Sequence, residues 1–329
     1  MLEDGRIECR LCPRLCRIKE GQRGFCFVRQ HIHGKLILTT YGRSSGFQLD
    51  PIEKKPLYHF YPGTSIISFG TAGCNLGCSF CQNWDLSRSQ SMDRMQAEAL
   101  PAEIARLAKR RNCPSVAFTY NEPIIFSEYA IDAAKACREL SIHTVAVTAG
   151  YITHEAGKDF FSSMDAANVD LKGFTEQFYH TYCKARLQPV LDTLMYIKNE
   201  TDTWLEITNL LIPGANDSEQ ELHAMTDWIV SNLGTEVPLH FSAFHPAFTL
   251  QSPKATPLWL LQKARTIALS KGIRYVYLGN VDDPGMSDTV CPGCGSLLVE
   301  RSGYSIGHYG LNGNQCGQCR QEIPGLFKG

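Results

Sequence analysis

The chain has 329 residues, of which 43% are hydrophobic and 20% charged, values typical of a globular protein with a large core. Its formal net charge of −1 gives no electrostatic reason to expect binding to nucleic acid or to an acidic membrane surface. No stretch approaches the roughly 20 apolar residues that span a bilayer, and the charged first residues lack the apolar run of a signal peptide, so we expect a cytoplasmic protein.

Fourteen cysteines set the chain apart, and most of them fall in three clusters. In a reducing compartment, clustered cysteines more often bind metal than form disulfides. The first cluster predicts a cysteine-rich metal-binding head over residues 1–33, with the ligands Cys9, Cys12, Cys16 and Cys26. Four thiols suit either zinc or an auxiliary [4Fe–4S] cluster. The compact spacing, with Pro13, Gly21 and Gly24 between the thiols, favours zinc but does not decide.

Residues 34–64 follow as a short strand and a linker that we expect to pack on the next domain. Lys35–Tyr41 is rich in strand-forming residues after Gly34. Asp50-Pro51 and Pro56 then interrupt regular structure.

Residues 65–285 alternate between apolar strands and helices. The predicted strands are Ile66–Phe69, Val116–Tyr120, His143–Thr148, Asn168–Lys172, Trp204–Leu211, Leu239–Phe244 and Arg274–Leu278. The predicted helices are Pro101–Arg110, Ile125–Leu140, Gln188–Lys198, Glu219–Leu233 and Leu258–Ser270. This alternation indicates a parallel sheet covered by helices, so we predict an α/β fold built as a partial (β/α) TIM-type barrel. A doubly wound open sheet is the alternative. A barrel would place active-site residues at the carboxyl ends of its strands.

The second cysteine cluster lies directly after the first barrel strand. Cys74, Cys78 and Cys81 follow the pattern C-x3-C-x2-C, and neighbouring glycines let the backbone come close to a cluster. Three thiolates bind three irons of a [4Fe–4S] cluster and leave the fourth iron open to a substrate. A structural zinc site that lacks one ligand is the alternative. The spacing, the glycines and the position after the strand favour the cluster.

This pattern, with the aromatic Phe80 before the last cysteine, resembles the motif of the radical S-adenosylmethionine (SAM) superfamily. Further segments resemble the radical-SAM component of the AmmeMemoRadiSam system, a relative of pyruvate formate-lyase activating enzyme. They are Asp50–Phe60, Thr119–Pro123, Val169–Gly173, Leu211–Asp217 and Tyr275–Val281. The resemblance implies that the open iron is chelated by SAM. SAM would be cleaved reductively to a 5′-deoxyadenosyl radical that abstracts hydrogen from a substrate, with the three cysteines as catalytic residues.

The resemblance also implies SAM-binding residues at the strand ends. Tyr120, Asn121 and Glu122 occupy the place of a Gly-Gly-Glu-like motif, in which Glu122 would receive the methionyl ammonium. A surface carboxylate is the alternative for Glu122. Asp170 and Lys172 share one face of their strand. Lys172 would bind the SAM carboxylate, unless the two residues form a structural ion pair.

The third barrel strand departs from the activating-enzyme pattern Asp-Thr-Asn-Gly. It ends Val147-Thr148-Ala149-Gly150, which puts a monovalent-cation site in doubt but keeps Thr148 and Gly150 as candidate SAM contacts. Two histidines flank the sixth strand, His240 and His245. His245 follows Phe244 and is the better match to the histidine that contacts SAM in the activating enzymes. A satisfied structural histidine is the alternative.

The third cysteine cluster lies in residues 286–329. Two C-x2-C pairs separated by 21 residues match the spacing of a zinc ribbon, with the ligands Cys291, Cys294, Cys316 and Cys319. Zinc is expected there, with a second iron–sulfur cluster as the alternative. We expect the module to have a stabilising or docking role. Of the remaining cysteines, we expect buried thiols at Cys113, Cys137 and Cys183.

The sequence thus predicts a radical SAM oxidoreductase similar to the activating enzymes, with a [4Fe–4S] cluster, SAM and zinc as cofactors. Two alternatives from other classes are an iron–sulfur electron-transfer protein and a zinc-ribbon adaptor without catalysis. An electron donor such as a flavodoxin or ferredoxin is expected. The resemblance suggests Memo-type and AMMECR-type proteins as partners. It leaves the hydrogen donor open between a protein glycine and a small molecule.

Overall fold

A computed structural model describes residues 1–89, 97–281 and 284–327. In chain order, the strands β1 to β19 are Ile7–Glu8, Arg17–Ile18, Arg29–Ile32, Lys35–Leu38, Arg43–Ser44, Phe47–Pro51, Ser65–Phe69, Ala97–Glu98, Ser115–Phe118, His143–Thr148, Ala166–Asp170, Trp204–Leu211, Leu239–Ala243, Val276–Gly279, Thr289–Val290, Leu297–Ser302, Ser305–Tyr309, Leu311–Asn312 and Gln315–Cys316. The helices α1 to α8 are Trp84–Ser87, Pro101–Arg110, Ser127–Glu139, His154–Phe161, Glu176–Phe178, Gln188–Glu200, Glu219–Leu233 and Leu258–Ser270. A π-helix covers Tyr179–Cys183.

Eight strands form the central sheet in the order β14-β13-β12-β11-β10-β9-β7-β6. From β7 to β14 all pairs are parallel, and β6 adds to β7 in the antiparallel direction. Along this sheet the parallel strands follow chain order without a reversal, whereas a doubly wound sheet reverses at a switch point. The predicted partial (β/α) barrel is therefore confirmed, and the doubly wound alternative is wrong.

The local sequence explains where the helices begin and end. Pro101 occupies the first turn of α2, and the side chain of Ser218 caps α7 by accepting the Glu221 N–H. Gly234 ends α7 with a φ of +86°, which favours glycine. The predicted bounds of α2, α7 and α8 agree with the structure.

The two faces of the sheet have different neighbours. Ile67, Val116 and Ala167 face the helices in the main core. The alternate side chains point to the inner face and pack with Ile52, Leu57 and Phe60 in a second apolar cluster; they are Ile66, Ala117, Val145 and Ala166. Residues 52–60, here called the inner segment, therefore fill the amino-terminal half of the barrel interior.

Buried polar contacts fix the inner segment to the sheet. The carboxylate of Glu206 on β12 accepts the backbone N–H groups of Tyr58 (3.0 Å) and His59 (2.8 Å). The same carboxylate pairs with His240 on β13 at 2.6 Å. Asn168 donates to the carbonyl of Pro56 at 2.7 Å. Every one of these side chains is buried, so the segment is held in one register.

The two cysteine-rich ends form small antiparallel units beside the barrel. The head contains the hairpins β1–β2 and β3–β4, and the carboxyl-terminal unit contains the sheet β15–β16–β17 and the hairpin β18–β19. That last unit packs on Tyr58, Tyr275 and Tyr277 through its own small core. The proposed boundaries at residues 33, 64 and 285 stay a prediction.

No helix among the described residues combines the length and the apolarity needed to cross a membrane.

Candidate functional site

A cavity of about 250 Å³ opens at the carboxyl ends of the barrel strands. Cys74, Cys78 and Cys81 line it from the loop after β7. The ends of the later strands complete its wall with Thr119 to Glu122, Val147 to Ala149, Asp170, Lys172, Thr208, Leu210, Ser242 and Asn280. The inner segment lies at the opposite end of the barrel, so the cavity occupies the half of the interior that this segment leaves free.

Close backbone packing shapes the cysteine loop. Gly73 has a φ of +81°, and a Cβ there would lie 2.1 Å from the carbonyl oxygen of Cys26 in the head. The side chain of Asn121 donates to the carbonyl of Gly73 at 2.8 Å and accepts the N–H of Thr71 at 3.0 Å. The loop is therefore held from both sides, by the head and by the end of β9.

The three thiols suit a metal cluster. Burial raises the pKa of Cys74 and Cys81. The thiol of Cys183, followed by burial, raises the pKa of Cys78. Such thiols stay protonated without metal, and binding of a cation would release their protons. With three thiolates facing one cavity, the donor set fits a cluster that keeps one position open.

Glu122 sits in this wall as a buried carboxyl group. It accepts the N–H of Ala149 at 2.7 Å and the hydroxyl hydrogen of Thr148, and its carboxylate also caps the 3-10 helix Pro123–Phe126. Burial raises its pKa to about 7. The alternative of a surface carboxylate is wrong, because only 4% of Glu122 is exposed.

Asp170 and Lys172 lie together on the cavity wall. The Lys172 ammonium is 2.7 Å from the Asp170 carboxylate. Burial opposes a charged lysine, but Asp170 and the thiols of Cys78 and Cys183 outweigh it and raise the pKa of Lys172. The cavity wall thus carries a positively charged Lys172 that can pair with an anionic group of a ligand.

The other predicted SAM contacts fall in three positions. Phe80, Tyr120 and Thr148 line the cavity. Gly150 follows β10 with a φ of +64°, where a Cβ would lie 3.0 Å from Val169. His245 is exposed just after β13, outside this lining, and His240 is committed to Glu206 at the far end of the barrel. The SAM-binding role of each residue stays a prediction.

Two contacts were not foreseen from the sequence. Cys113, Cys137 and Cys183 are buried as expected, but Cys183 also lies beside the thiol of Cys78. It ends a π-helix, a distortion that often marks functional sites. Asn121, predicted to contact SAM, lines the cavity and also hydrogen-bonds to the cysteine loop through its side-chain amide. Neither contact has a local sequence signal, because both join residues far apart in the chain.

A second cavity of about 620 Å³ adjoins the first and shares Ser242 and Asn280 with it. It lies between β14, the inner segment and the hairpin of β16 and β17. Charged side chains line it, including Lys54, Glu300 and Arg301. Its volume is in the range of ordinary small-molecule pockets.

The carboxyl-terminal cysteines converge on one point. All four sulfurs lie within 4.8 Å of one another, with 3.6 Å between Cys291 and Cys319 and 3.7 Å between Cys294 and Cys316. A tetrahedral ion with Zn–S bonds of about 2.3 Å requires sulfur separations of about 3.8 Å. The set can therefore bind a single metal ion.

Comparison with known proteins agrees with this geometry. Residues 69–226 match the Radical SAM superfamily. An uncharacterised protein of Methanocaldococcus jannaschii is 41% identical over 324 residues, which cover 98% of this chain and 96% of that protein. The pyruvate formate-lyase-activating enzyme of Clostridium pasteurianum is 26% identical over 209 residues, or 63% of this chain and 84% of that enzyme.

Among solved structures, a radical SAM methyltransferase from Sphaerobacter thermophilus is similar with a TM-score of 0.51. The match covers 72% of this chain and 71% of that chain at 16% identity. At this identity the likeness extends to the fold alone.

Proposed function

The chain belongs to the radical SAM superfamily, and from this premise we propose that Cys74, Cys78 and Cys81 hold the [4Fe–4S] cluster at which it cleaves SAM. When bound, the cluster supplies one electron to the sulfonium C–S bond of SAM, which leaves methionine and a 5′-deoxyadenosyl radical that abstracts hydrogen from a substrate. The protein is thus a radical SAM enzyme whose substrate is to be identified.

One observation carries the residue assignment: a single cavity brings three thiols, a buried carboxyl group and a fixed cation together. Glu122 would accept the ammonium of SAM, and Lys172 would meet its carboxylate. Thr148 and the N–H of Ala149 orient the Glu122 carboxylate, and Asn121 holds the cysteine loop. The proposed SAM contacts are completed by Phe80, Tyr120, Asn121, Thr148, Gly150, Asp170 and the exposed His245.

The second cavity supports a proposal for the substrate. It joins the first at Ser242 and Asn280, so a molecule bound there would meet the SAM site from the open side of the barrel. Its size suits a small molecule or one protruding residue of a protein partner.

We propose membership of the AmmeMemoRadiSam system, with Memo-type and AMMECR-type proteins as functional partners.

The remaining proposals concern the surroundings of the enzyme. The converging sulfurs of the carboxyl-terminal set support zinc as a structural ion there. Low-potential iron–sulfur chemistry requires a one-electron donor such as a flavodoxin or ferredoxin. It also suits a reducing compartment, for which the cytoplasm is our proposal.

Electron paramagnetic resonance (EPR) of anaerobically reconstituted protein tests the main proposal. Reduction should give a [4Fe–4S]⁺ signal that changes when SAM is added, and 5′-deoxyadenosine should form. The Cys78→Ala variant should lose SAM cleavage, and Cys113→Ala, which removes a buried thiol remote from the cavity, should keep it. A signal that ignores SAM, with no 5′-deoxyadenosine, would favour an electron-transfer protein instead.

A further inference from the structure

We propose that Cys9, Cys12, Cys16 and Cys26 hold a second iron–sulfur cluster, which passes single electrons to the cluster at Cys74, Cys78 and Cys81. The presence of this cluster rests on the head alone. Its relay role rests also on the proposed function of the barrel.

The three cysteine sets of the chain differ in how their sulfurs are arranged. Within the described ranges, the carboxyl-terminal set is the one whose sulfurs all lie within 4.8 Å of one another. The set at Cys74, Cys78 and Cys81 surrounds a cavity instead. The four cysteines of the head behave like this second set, because all of them line one small cavity rather than converge on a point.

This arrangement does not fit a single zinc ion. Four thiolates on one zinc stand about 3.8 Å apart, at Zn–S bonds of about 2.3 Å, and leave no space between them. The four thiols of the head, all within the described residues, do not lie within 4.8 Å of one another, and together they line one cavity. Thiolates on the corners of an iron–sulfur cube stand farther apart than thiolates on one ion. Four of them would saturate all four irons.

Basic groups around this cavity suit an anionic four-thiolate cluster. Arg14 and Arg29 both line it. Arg29 is only 4% exposed, and it is held by bonds to the carbonyl of Ile125 (2.9 Å) and to Glu128 (2.6 Å). A cation fixed beside the ligands lowers the cost of burying the cluster charge.

The head site lies against the barrel site. Asn75 directly follows the ligand Cys74, is fully buried, and lines the head cavity together with Cys12. Arg14 donates from Nε to the backbone carbonyl of Asn75. The close approach of Gly73 to the Cys26 carbonyl adds a second direct contact. The two residues that flank the barrel ligand Cys74 therefore both contact the head: Gly73 lies against Cys26, and Asn75 accepts a hydrogen bond from Arg14.

The relay is a one-electron exchange without bond changes in the head. A reduced flavodoxin or ferredoxin gives one electron to the oxidised head cluster, [4Fe–4S]²⁺, and is itself oxidised by one electron. The resulting [4Fe–4S]⁺ head cluster then reduces the barrel cluster from 2+ to 1+ and returns to 2+. Because four thiolates saturate its irons, the head cluster has no open position for SAM or substrate.

Iron, sulfide and zinc content test the cluster itself, without any measure of activity. The variant Cys74→Ala/Cys78→Ala/Cys81→Ala should keep about four irons and four sulfides per chain and show an EPR signal on reduction that does not respond to SAM. The wild type should hold about eight irons and one zinc. Two zinc ions per wild-type chain, with iron for one cluster only, would overturn the proposal.

Reduction by two kinds of donor tests the relay. Cys16→Ala should halve the iron content and slow reduction of the barrel cluster by photoreduced flavodoxin at least tenfold. Reduction by dithionite, a small reductant that can enter the barrel cavity, should keep its rate. Cys113→Ala serves as the control and should resemble the wild type with both donors. Equal rates of flavodoxin reduction in Cys16→Ala and wild type, or an equal loss with both donors, would rule out the relay.

Discussion

Lys172 and Asp170 show how one ion pair can serve a binding site. Their charged groups are 2.7 Å apart, and their side chains are 16% and 33% exposed at the cavity. Because Asp170 keeps contact with solvent, it does not depend on Lys172 as a fully buried carboxylate would. The pair therefore tolerates the loss of its cation better than a core ion pair does.

Lys172→Met should weaken SAM binding without unfolding the protein. It removes a charge-assisted hydrogen bond to the SAM carboxylate, worth about 1.5–3 kcal/mol. SAM affinity should fall by about 10- to 150-fold, at about 1.4 kcal/mol per decade. Anaerobic SAM titration and thermal melting of the SAM-free protein measure the two effects.

The matched control is Lys263→Met, which breaks an exposed pair of the same length, 2.7 Å to Glu219. It should leave SAM affinity unchanged. A large drop in the melting temperature of Lys172→Met, with near-normal SAM affinity, would show that the lysine is purely structural.

The raised pKa of Glu122 gives SAM binding a pH dependence. Its carboxyl group must be ionised to meet the SAM ammonium, and burial raises its pKa to about 7. SAM affinity should therefore rise with pH up to about 7 and level off above, with about a tenfold loss per pH unit below. The stability of the SAM-free protein should change with pH in the opposite direction. The folded chain binds the Glu122 proton more tightly than the unfolded chain does, so Glu122 contributes fully to stability below pH 4.5. This contribution is lost as the pH rises through about 7.

Calorimetric SAM titrations between pH 5.5 and 8 would measure this dependence. Glu122→Gln should bind SAM weakly at every pH, without the slope. Glu221→Gln is the control, since burial also raises the pKa of Glu221 on α7, away from the cavity. A slope that persists in Glu122→Gln would assign the proton to another group.

At the residue level, local sequence patterns identified which side chains belong to the site, but not which other side chains they contact. Cys74 and Glu122 could be identified because each belongs to a short motif at a strand end. The bond between Asn121 and the cysteine loop, and the contact of Cys183 with Cys78, depend on segments brought together only by the fold. His245 shows the reverse case: its sequence context matched, but the structure leaves its side chain exposed.

Among the elements, the carboxyl-terminal ribbon should depend on a single metal ion for its fold. Cys294→Ala removes one of four converging sulfurs, and a structural Zn–thiolate site supplies about 10–16 kcal/mol of apparent binding free energy. Residues 291–319 should then unfold locally, lose zinc and become sensitive to protease. SAM cleavage should survive at least in part. A variant with full zinc content and normal protease resistance would refute the zinc site, and Cys137→Ala controls for loss of a thiol elsewhere.

The elements that the sequence did not predict are weak or atypical ones. The strand β6 ends in Asp50-Pro51, which indicates a break, yet proline is tolerated at the end of an edge strand. The helix α4 has eight residues with Gly157 inside, which is too short for a clear helical period. The predicted strand to Tyr120 ends early, at Phe118, because Tyr120 adopts a φ of +70°. The long apolar strands and capped helices were predicted because each carries its own signal.

At the scale of the whole molecule, Arg301 connects the ribbon to the barrel. Its guanidinium donates to the Tyr58 carbonyl at 2.9 Å and lies 4.1 Å above the Tyr58 ring. Its Nε also lies 4.0 Å from the carboxylate of the buried Glu53, whose pKa is raised by burial. The ribbon thereby reaches the inner segment, a long-range contact that no single stretch of sequence predicts.

Arg301→Met should destabilise the molecule by about 3–5 kcal/mol, since it leaves a buried carboxylate without its cation. Glu53→Gln in the same chain should recover part of that loss, because no charge then remains to be compensated. Melting temperatures of both variants, with the exposed Arg320→Met as control, measure the coupling. If Glu53→Gln recovers nothing, the two groups act independently.

The inner segment also dictates when the molecule can fold during translation. Residues 52–60 leave the ribosome early, but Glu206, which accepts their N–H groups, follows 147 and 148 residues later. Arg301 follows Tyr58 by 243 residues. Contacts of such high order form slowly and expose apolar surface until they close. A nascent chain released before β12 would thus carry the inner segment without the carboxylate that fixes it, and the ribbon, made after the barrel, completes a core whose first part was made much earlier.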